Sequence, residues 1–449
     1  MDSRLLEKYD RLVPRYTSYP TAPHFDGSVG ADSYAAWLSD LPDGMPLSVY
    51  VHIPFCDTLC WFCGCHTKLV NRYEPVTAYL RLLEREIGLV RDRIGIGHAV
   101  RHMHWGGGSP TILHPNDILR LGGALAAALP MASDAEFAVE IDPRELPPAA
   151  IDALAEIGVN RASIGVQDID ETVQRAVNRV QPMAMTVAAA VGLRRAGIRA
   201  INLDLMYGLP HQTIDRVRAT ADFAIDLEPD RIALFGYAHV PEMKRHQRLI
   251  DAAALPDGTA RLAQAEAVAE RLVAAGYVPI GLDHFARPDD PLARAAAAGR
   301  LRRNFQGYTT DDSAALIGLG ASAIGRLPQG YVQNAVPLHA YRDAMKAGRL
   351  ATVRGRPIGA EDRLRGAVIE RLMCNLRVDP ARLCAEHGAD PDTFAPEMAV
   401  LEDFVRDGVL DRTGGAITVR EEARPLVRCV AAVFDGYLRQ GETRHSRAV

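Results

Sequence analysis

The chain has little cysteine for its length, seven residues in 449. A set so sparse and odd excludes a disulfide framework, and thiols kept free fit a reducing compartment. No charge-free apolar run reaches the roughly 20 residues that a membrane-spanning helix needs. The start, Met-Asp-Ser-Arg-Leu-Leu-Glu-Lys, carries charge where a secretory signal needs an apolar centre. Positive charge is not in excess either: 51 Lys and Arg against 56 Asp and Glu leave a formal charge of −5. That argues against a nucleic-acid binder held by phosphate neutralisation. Solenoid repeats and low-complexity tails are missing. What is left is ordinary globular composition, 48% apolar and 24% charged. The length suits about two to three domains, or one large α/β domain with appendages. The expectation is a soluble, cytoplasmic protein.

What the chain does have is a concentration of its scarce residue. From Tyr50 it reads Y-V-H-I-P-F-C-D-T-L-C-W-F-C-G-C. Cys56, Cys60 and Cys63 form a C-x3-C-x2-C array directly after the apolar run Ser48–Ile53, which reads as a strand. Three thiolates on one tight loop can hold three irons of a cubane cluster and leave the fourth open to a substrate or cofactor. A structural zinc site would want four ligands in paired short spacings. Cys65 offers a fourth thiolate, yet no matching C-x2-C or H-x3-H follows. Cys374, Cys384 and Cys429 are scattered and read as ordinary buried residues.

From Ser48 to Tyr237 short apolar runs alternate with amphipathic stretches. Strands are predicted at Ser48–Ile53, Val100–Trp105, Phe137–Ile141, Ala162–Val166, Ile201–Met206 and Ile232–Tyr237. Helices are predicted at Val76–Val90, Asp117–Leu129, Pro148–Ile157, Ala184–Ala196 and Ile214–Leu227. Such alternation means a parallel sheet, here an incomplete barrel of six units, with chemistry at the carboxyl ends of the strands. Those ends carry Gly106-Gly107-Gly108-Ser109, then Glu140-Ile141-Asp142 with Glu145, then Gln167 followed by Arg175 and Arg179, then Asp204, then Ala238. Successive glycines let a ligand approach the backbone. By charge alone Glu140, Asp142 and Glu145 are equivalent. Ahead of the barrel, Pro14 to Pro20 is an extended arm, read as packing on the barrel. Beyond about residue 355 come helices at Ala360–Cys374, Pro380–His387 and Pro396–Asp407. A hairpin turning at Thr413–Ala416 and a last helix at Pro425–Leu438 complete a winged-helix-like module. It lacks a basic recognition helix, so a lid or docking domain is the plainer reading. The domains expected are an arm (1–47), a partial barrel with its extension (48–354) and a helical C-terminal domain (355–449).

With H-I-P-F-C-x3-C-x-F-C-x-C, the P-R-Y-T-S-Y-P arm and these strand ends, the chain resembles the radical S-adenosylmethionine (SAM) enzymes. Within them it is similar to the oxygen-independent coproporphyrinogen III oxidases. The resemblance implies a 4Fe-4S cluster on Cys56, Cys60 and Cys63, with Cys65 not a ligand, and two molecules of SAM. Tyr50, Gly107, Glu140 and Ile324 would serve the first SAM, Tyr50 and Glu140 being the catalytic candidates. Phe62, Gly108, Ser109, Gln167, Arg179, Asp204 and Ala238 would serve the second, and Gln306 could face it too. Ser109 stands where the family usually has Thr, which keeps the hydroxyl. Arg15, and Arg287 or Arg303, are candidates for substrate carboxylates, since a guanidinium fork suits that group. The implied reaction turns two propionates of coproporphyrinogen III into the vinyl groups of protoporphyrinogen IX by means of a 5′-deoxyadenosyl radical. The implied partners are a flavodoxin- or ferredoxin-type electron donor, and the implied state is a monomer. The alternatives are a haem chaperone of the same family, which generally lacks the fourth cysteine and the arm, and a radical SAM methyltransferase or cyclopropanase. A pure electron carrier would have no use for the strand-end pattern.

Overall fold

The computed structural model describes residues 3–9 and 11–438. Six strands lead the fold: β1 (Leu47–Ile53), β2 (Val100–Gly107), β3 (Met131–Ile141), β4 (Arg161–Gln167), β5 (Ala200–Tyr207) and β6 (Arg231–Gly236). They pair in chain order and in parallel. Parallel neighbours need a crossover. The helices Glu74–Arg91, Pro115–Ala128, Pro148–Glu156, Met183–Arg195 and Ile214–Asp226 supply it. Their starts are local chemistry: prolines sit in the first turn of three of them, and the Thr213 side chain accepts from the Arg216 N–H at the fifth. Toward the crossover helices the strands bury Trp105, Val139, Ala162, Ile164, Leu203 and Leu205 almost completely, while the alternate residues are half-buried in several strands.

The sheet continues past these six. β7 (Val278–Ile280) and β8 (His284–Ala286) extend it beyond β6 in antiparallel pairing. On the other side β9 (Ala315–Leu319) pairs in parallel with β1, followed by antiparallel β10 (Ile324–Leu327), β11 (Gly330–Asn334) and β12 (Thr352–Pro357). The twelve strands run β12-β11-β10-β9-β1-β2-β3-β4-β5-β6-β8-β7. The sequence gives little sign of β9 and β10 because glycines interrupt the run, and those glycines have a packing cause. A Cβ on Gly318 would stand 2.6 Å from the Ile324 carbonyl oxygen, so the turn from β9 to β10 needs a bare backbone.

The C-terminal helices form at Ala360–Asn375, Pro380–Glu386 and Ala395–Arg406, and the hairpin Leu410–Thr413/Ala416–Val419 turns where the spacing places it. The last helix is a correction. Only Val427–Ala431 is α-helical, between 3-10 turns at Glu421–Leu426 and Ala432–Phe434. Pro425 lies inside the first turn. The second ends at Asp435, whose carboxylate accepts from Tyr16 Oη at 3.1 Å and from the Tyr437 N–H at 2.9 Å.

The segment from Pro14 to Pro20 is extended as expected, but its side chains turn to the C-terminal helices, while Val29, Tyr34, Leu38 and Leu41 further along the arm join the barrel core. Tyr9, Val13, Tyr16 and Tyr19 bury in one core with Leu364, Val368, Leu372 and Phe434 of the C-terminal helices. Arg428 donates to the carbonyls of Pro14 and Val13, strapping the arm down. Among the described residues no helix is long and apolar enough to cross a membrane.

Candidate active site

The loop after β1 carries the thiols at graded depth. Cys60 is buried, Cys56 and Cys63 are half-buried, and Cys65 is exposed. A two-residue parallel pair, Phe55–Cys56 with Lys68–Leu69, closes the loop at its base. Donors point at the sulfurs. Cys60 Sγ accepts from Arg144 Nη2 at 3.4 Å and from Arg179 Nη1 at 3.5 Å. Cys63 Sγ accepts from the Cys65 N–H at 3.4 Å, and Cys56 Sγ lies 3.2 Å from Thr67 Oγ1. Hydrogen bonding from Cys65 pulls the Cys63 thiol down to about 7, whereas burial pushes Cys56 up to about 12. Among the described residues no three His, Cys, Asp or Glu side chains gather on one point. Thiols spread along one loop, with cationic and N–H donors aimed at them, fit a polynuclear cluster.

Residues the sequence did not single out hold this loop from behind. His246 Nε2 donates to the Cys63 carbonyl at 2.7 Å, and Lys244 Nζ to the Cys65 carbonyl at 3.0 Å. Gln247 Nε2 reaches both Phe62 O at 3.1 Å and Ala238 O at 3.2 Å, tying the loop to the end of β6. Their only signal is the polar run after Pro241.

At the strand ends the first group of candidates comes together. Glu140 Oε2 accepts from the Gly107 N–H at 3.1 Å, and Oε1 lies 3.2 Å from His104 Nε2. Burial would raise this carboxyl, but these donors hold it below its ordinary value. It is therefore an anion at neutral pH. A Cβ on Gly106 would stand 2.5 Å from Glu140 Oε1, and one on Gly107, at φ 116°, 2.5 Å from the His52 ring. Tyr50 Oη is 3.0 Å from His52 Nδ1, and its ring stacks on His104 at 5.9 Å. Tyr50 pairs with Gly318, across which the Ile324 backbone packs, so Ile324 belongs to the same rim.

The second group is more varied. Gln167 has φ 66°, a left-handed conformation uncommon for its type. Arg179 Nη2 donates to Gly165 O at 2.7 Å and Nη1 to Asp142 Oδ2 at 3.0 Å, while its buried Nε has no partner. Asp204 accepts from Ser163 Oγ at 3.0 Å and Asn202 Nδ2 at 2.8 Å, and burial pushes it up to about 6. Gly108 closes against Phe55, where a Cβ would meet the carbonyl oxygen at 2.5 Å. Ser109 is buried with its hydroxyl 2.8 Å from Thr111 Oγ1, so that group is turned inward. The three acids now part company: Glu140 faces Gly107, Asp142 joins Arg144 and Arg179, and Glu145 accepts from the Asp57 N–H on the cysteine loop. Arg175 pairs with Glu171 on the surface.

Beside this rim opens a cavity of about 1050 Å³ lined by the arm, β6, the strap after it and the C-terminal module. Ala238, Arg15 and Arg303 line it; Arg287 does not. Gln306 instead lines a small inner pocket with Tyr50 and His104.

Residues 50–224 match the family model of the radical SAM superfamily. The oxygen-independent coproporphyrinogen III oxidase of Bradyrhizobium diazoefficiens is 52% identical over 440 residues, covering 98% of each chain. That of Pseudomonas aeruginosa is 40% identical over 97% of this chain and 96% of its own. The solved coproporphyrinogen III oxidase of Escherichia coli, a radical SAM enzyme, superposes with a TM-score of 0.91 at 38% identity, over 97% of this chain and 99% of that one.

Proposed function

The chain belongs to the oxygen-independent coproporphyrinogen III oxidases of the radical SAM superfamily, and from that premise we propose how its own residues serve the reaction. The reaction is the oxidative decarboxylation of two propionates of coproporphyrinogen III to the vinyl groups of protoporphyrinogen IX, in haem biosynthesis. When bound, a 4Fe-4S cluster and SAM supply the one-electron chemistry that takes hydrogen from a propionate β-carbon. Cys56, Cys60 and Cys63 hold the cluster, and the N–H donor on Cys63 and the guanidinium donors on Cys60 favour the thiolate state of those two sulfurs.

Glu140 is the anchor for the SAM ammonium. It is ionised, fixed by the Gly107 N–H and His104, and beside a glycine backbone that a ligand can approach. Tyr50 and Ile324 flank that position and orient the same molecule. A second SAM has Phe62, Gly108, Ser109, Gln167, Arg179, Asp204 and Ala238 as its candidates. Of these, the Arg179 Nε without a partner and the strained backbone of Gln167 favour a ligand-facing role. Ser109 contributes through its backbone rather than its inward hydroxyl. The observation that carries the reading is Glu140 bonded to Gly107 at the strand ends beside the three-cysteine loop.

The remaining assignments are a cytoplasmic monomer in three parts (1–47, 48–354, 355–449), reduced by a flavodoxin- or ferredoxin-type donor. The reconstituted protein, incubated anaerobically with coproporphyrinogen III, SAM and a strong reductant, is expected to release 5′-deoxyadenosine and a product lighter by two carboxyl groups. Tight haem binding without porphyrinogen turnover would make it a chaperone. A carbon transferred in place of carbon dioxide released would make it a methyltransferase.

A further inference from the structure

The cavity holds a set of guanidinium groups that the catalytic chemistry leaves unused. Arg303 lies on the short strand Arg302–Asn304, directly across from Tyr308. Its guanidinium stacks 4.3 Å from the Tyr308 ring centroid. That ring is fixed, because its hydroxyl donates to Met373 O at 2.8 Å and accepts from the Leu282 N–H at 2.9 Å. Arg303 Nη2 reaches only the Arg15 carbonyl, at 3.4 Å, and its Nε and Nη1 are shielded from solvent without a hydrogen-bond partner. Arg15 in turn reaches only a carbonyl, Gly236 O at 3.2 Å. Neither arginine makes an ion pair among the described residues. Arg428 stands behind them, buried, bonded to the carbonyls of Val13 and Pro14. Burial first, then the charges of Arg15 and Arg303 nearby, bring it down to about 10.

Acids lie near this charge without pairing with it. Glu242, Glu266, Glu270, Glu421 and Glu422 sit at the exposed edge of the cavity. The inward acid is Asp283: its Oδ1 is held by His284 Nδ1 at 2.6 Å, and although burial would raise its carboxyl, His284 and then the nearby charges of Arg303 and Arg15 hold it well below its ordinary value, without an ion pair to either arginine. Guanidinium donors kept from water with no acceptor are costly, unless an anion from outside completes them.

Resting on the function proposed above, we propose that Arg303 and Arg15, braced by Tyr308 and the arm, clamp a propionate carboxylate of the porphyrinogen that survives the reaction. The substrate brings four carboxylates and the product keeps two. A carboxylate in a bidentate cationic clamp is stabilised as an anion. Losing it as neutral carbon dioxide would forfeit that stabilisation, so the clamp suits a group that stays. Arg15 and Arg303 bond to the carbonyls of Gly236 and Arg15, whereas Arg144 and Arg179 bond to Cys60 on the cysteine loop. A group bound there positions the macrocycle while another propionate is presented at the cysteine side.

The test uses the reconstituted holoenzyme with Arg303→Gln, Arg303→Lys and Arg15→Gln, after thermal melts show each variant folded. Coproporphyrin III, the stable oxidised form with four carboxylates, is titrated by fluorescence, with its tetramethyl ester as the uncharged control. Arg303→Gln is expected to weaken coproporphyrin III binding by about 10- to 100-fold and leave ester binding unchanged, while Arg303→Lys recovers part of the loss. In turnover, KM for coproporphyrinogen III rises by a similar factor with kcat nearly constant. Equal affinities in wild type and Arg303→Gln overturn the clamp. A fall in kcat with accumulation of the tricarboxylate intermediate overturns its assignment to a surviving group. Failure of the wild type to turn over coproporphyrinogen III would overturn the function instead, and the binding titration would still decide whether Arg303 holds a carboxylate.

Discussion

Two pairs of arginines bracket the site, and they are in opposite electrostatic states. At the cysteine loop Arg144 and Arg179 share Asp142, at 2.6 and 3.0 Å, and reach Cys60. At the arm Arg15 and Arg303 touch carbonyls and a tyrosine face, with no carboxylate. The first pair is anchored on one internal carboxylate, which fixes both guanidiniums in place beside Cys60. The second feels Asp283 nearby but pairs with no carboxylate, and it leaves Arg303 Nε and Nη1 without an acceptor, which a ligand carboxylate can supply. Side-chain type alone does not say which arginine is structural; the partner does.

The comparison can be broken most drastically at the thiols. Cys60→Ser removes the sulfur on which Arg144 and Arg179 converge. Activity and cluster-bound iron should both vanish, as read by assay and iron content, while the same analysis of Arg303→Gln finds iron unchanged. Arg179→Ala comes next. It strips one of two guanidinium partners from nearly buried Asp142, leaving Arg144, and should cost about 1.5–3 kcal/mol in chemical denaturation of the protein. Arg303→Gln breaks no ion pair, so it should move stability by less than about 1 kcal/mol. Equal losses from these two variants would erase the distinction between the pairs.

Glu140→Gln should weaken SAM binding by about 10- to 100-fold by equilibrium binding, since it removes a charged acceptor. It should leave coproporphyrin III binding at the arm side intact. Acid stability separates the pairs as well. Burial would raise Asp142, but Arg179 and Arg144 override it and hold the group at about 2. Its folded pKa lies below the unfolded one, so its contribution is complete above about pH 4 and is lost as pH falls toward 2. Asp142→Asn should lack that component, about 2 kcal/mol, in denaturation curves taken at pH 5, 4 and 3.

Much of the catalytic end was legible because it is local in sequence. Cysteine spacing, the glycine run and the first turn of each crossover helix are short-range signals, and the resemblance then separated Glu140 from Asp142 and Glu145. The structure gives that separation a cause in the Gly107 N–H and the shared arginines. What was not legible depends on chain segments that meet only in the fold. The strap Lys244–Gln247 lies about 180 residues from the carbonyls it holds. Strand β9 pairs with β1 across the whole barrel. Tyr9, Tyr16 and Tyr19 of the arm find their core in the C-terminal helices, because those offer the apolar partners they need. Arg303 and Arg15 were both candidates, but only the fold makes them neighbours and leaves Arg287 outside.

The central claim is that the cysteine side of this site takes hydrogen from a propionate while the macrocycle is held elsewhere. It is tested most directly with coproporphyrinogen III deuterated at the propionate β-carbons, turned over anaerobically with SAM and a strong reductant. One deuterium is expected in 5′-deoxyadenosine for each vinyl group formed. Unlabelled 5′-deoxyadenosine, with all the deuterium still on the porphyrinogen, would contradict it.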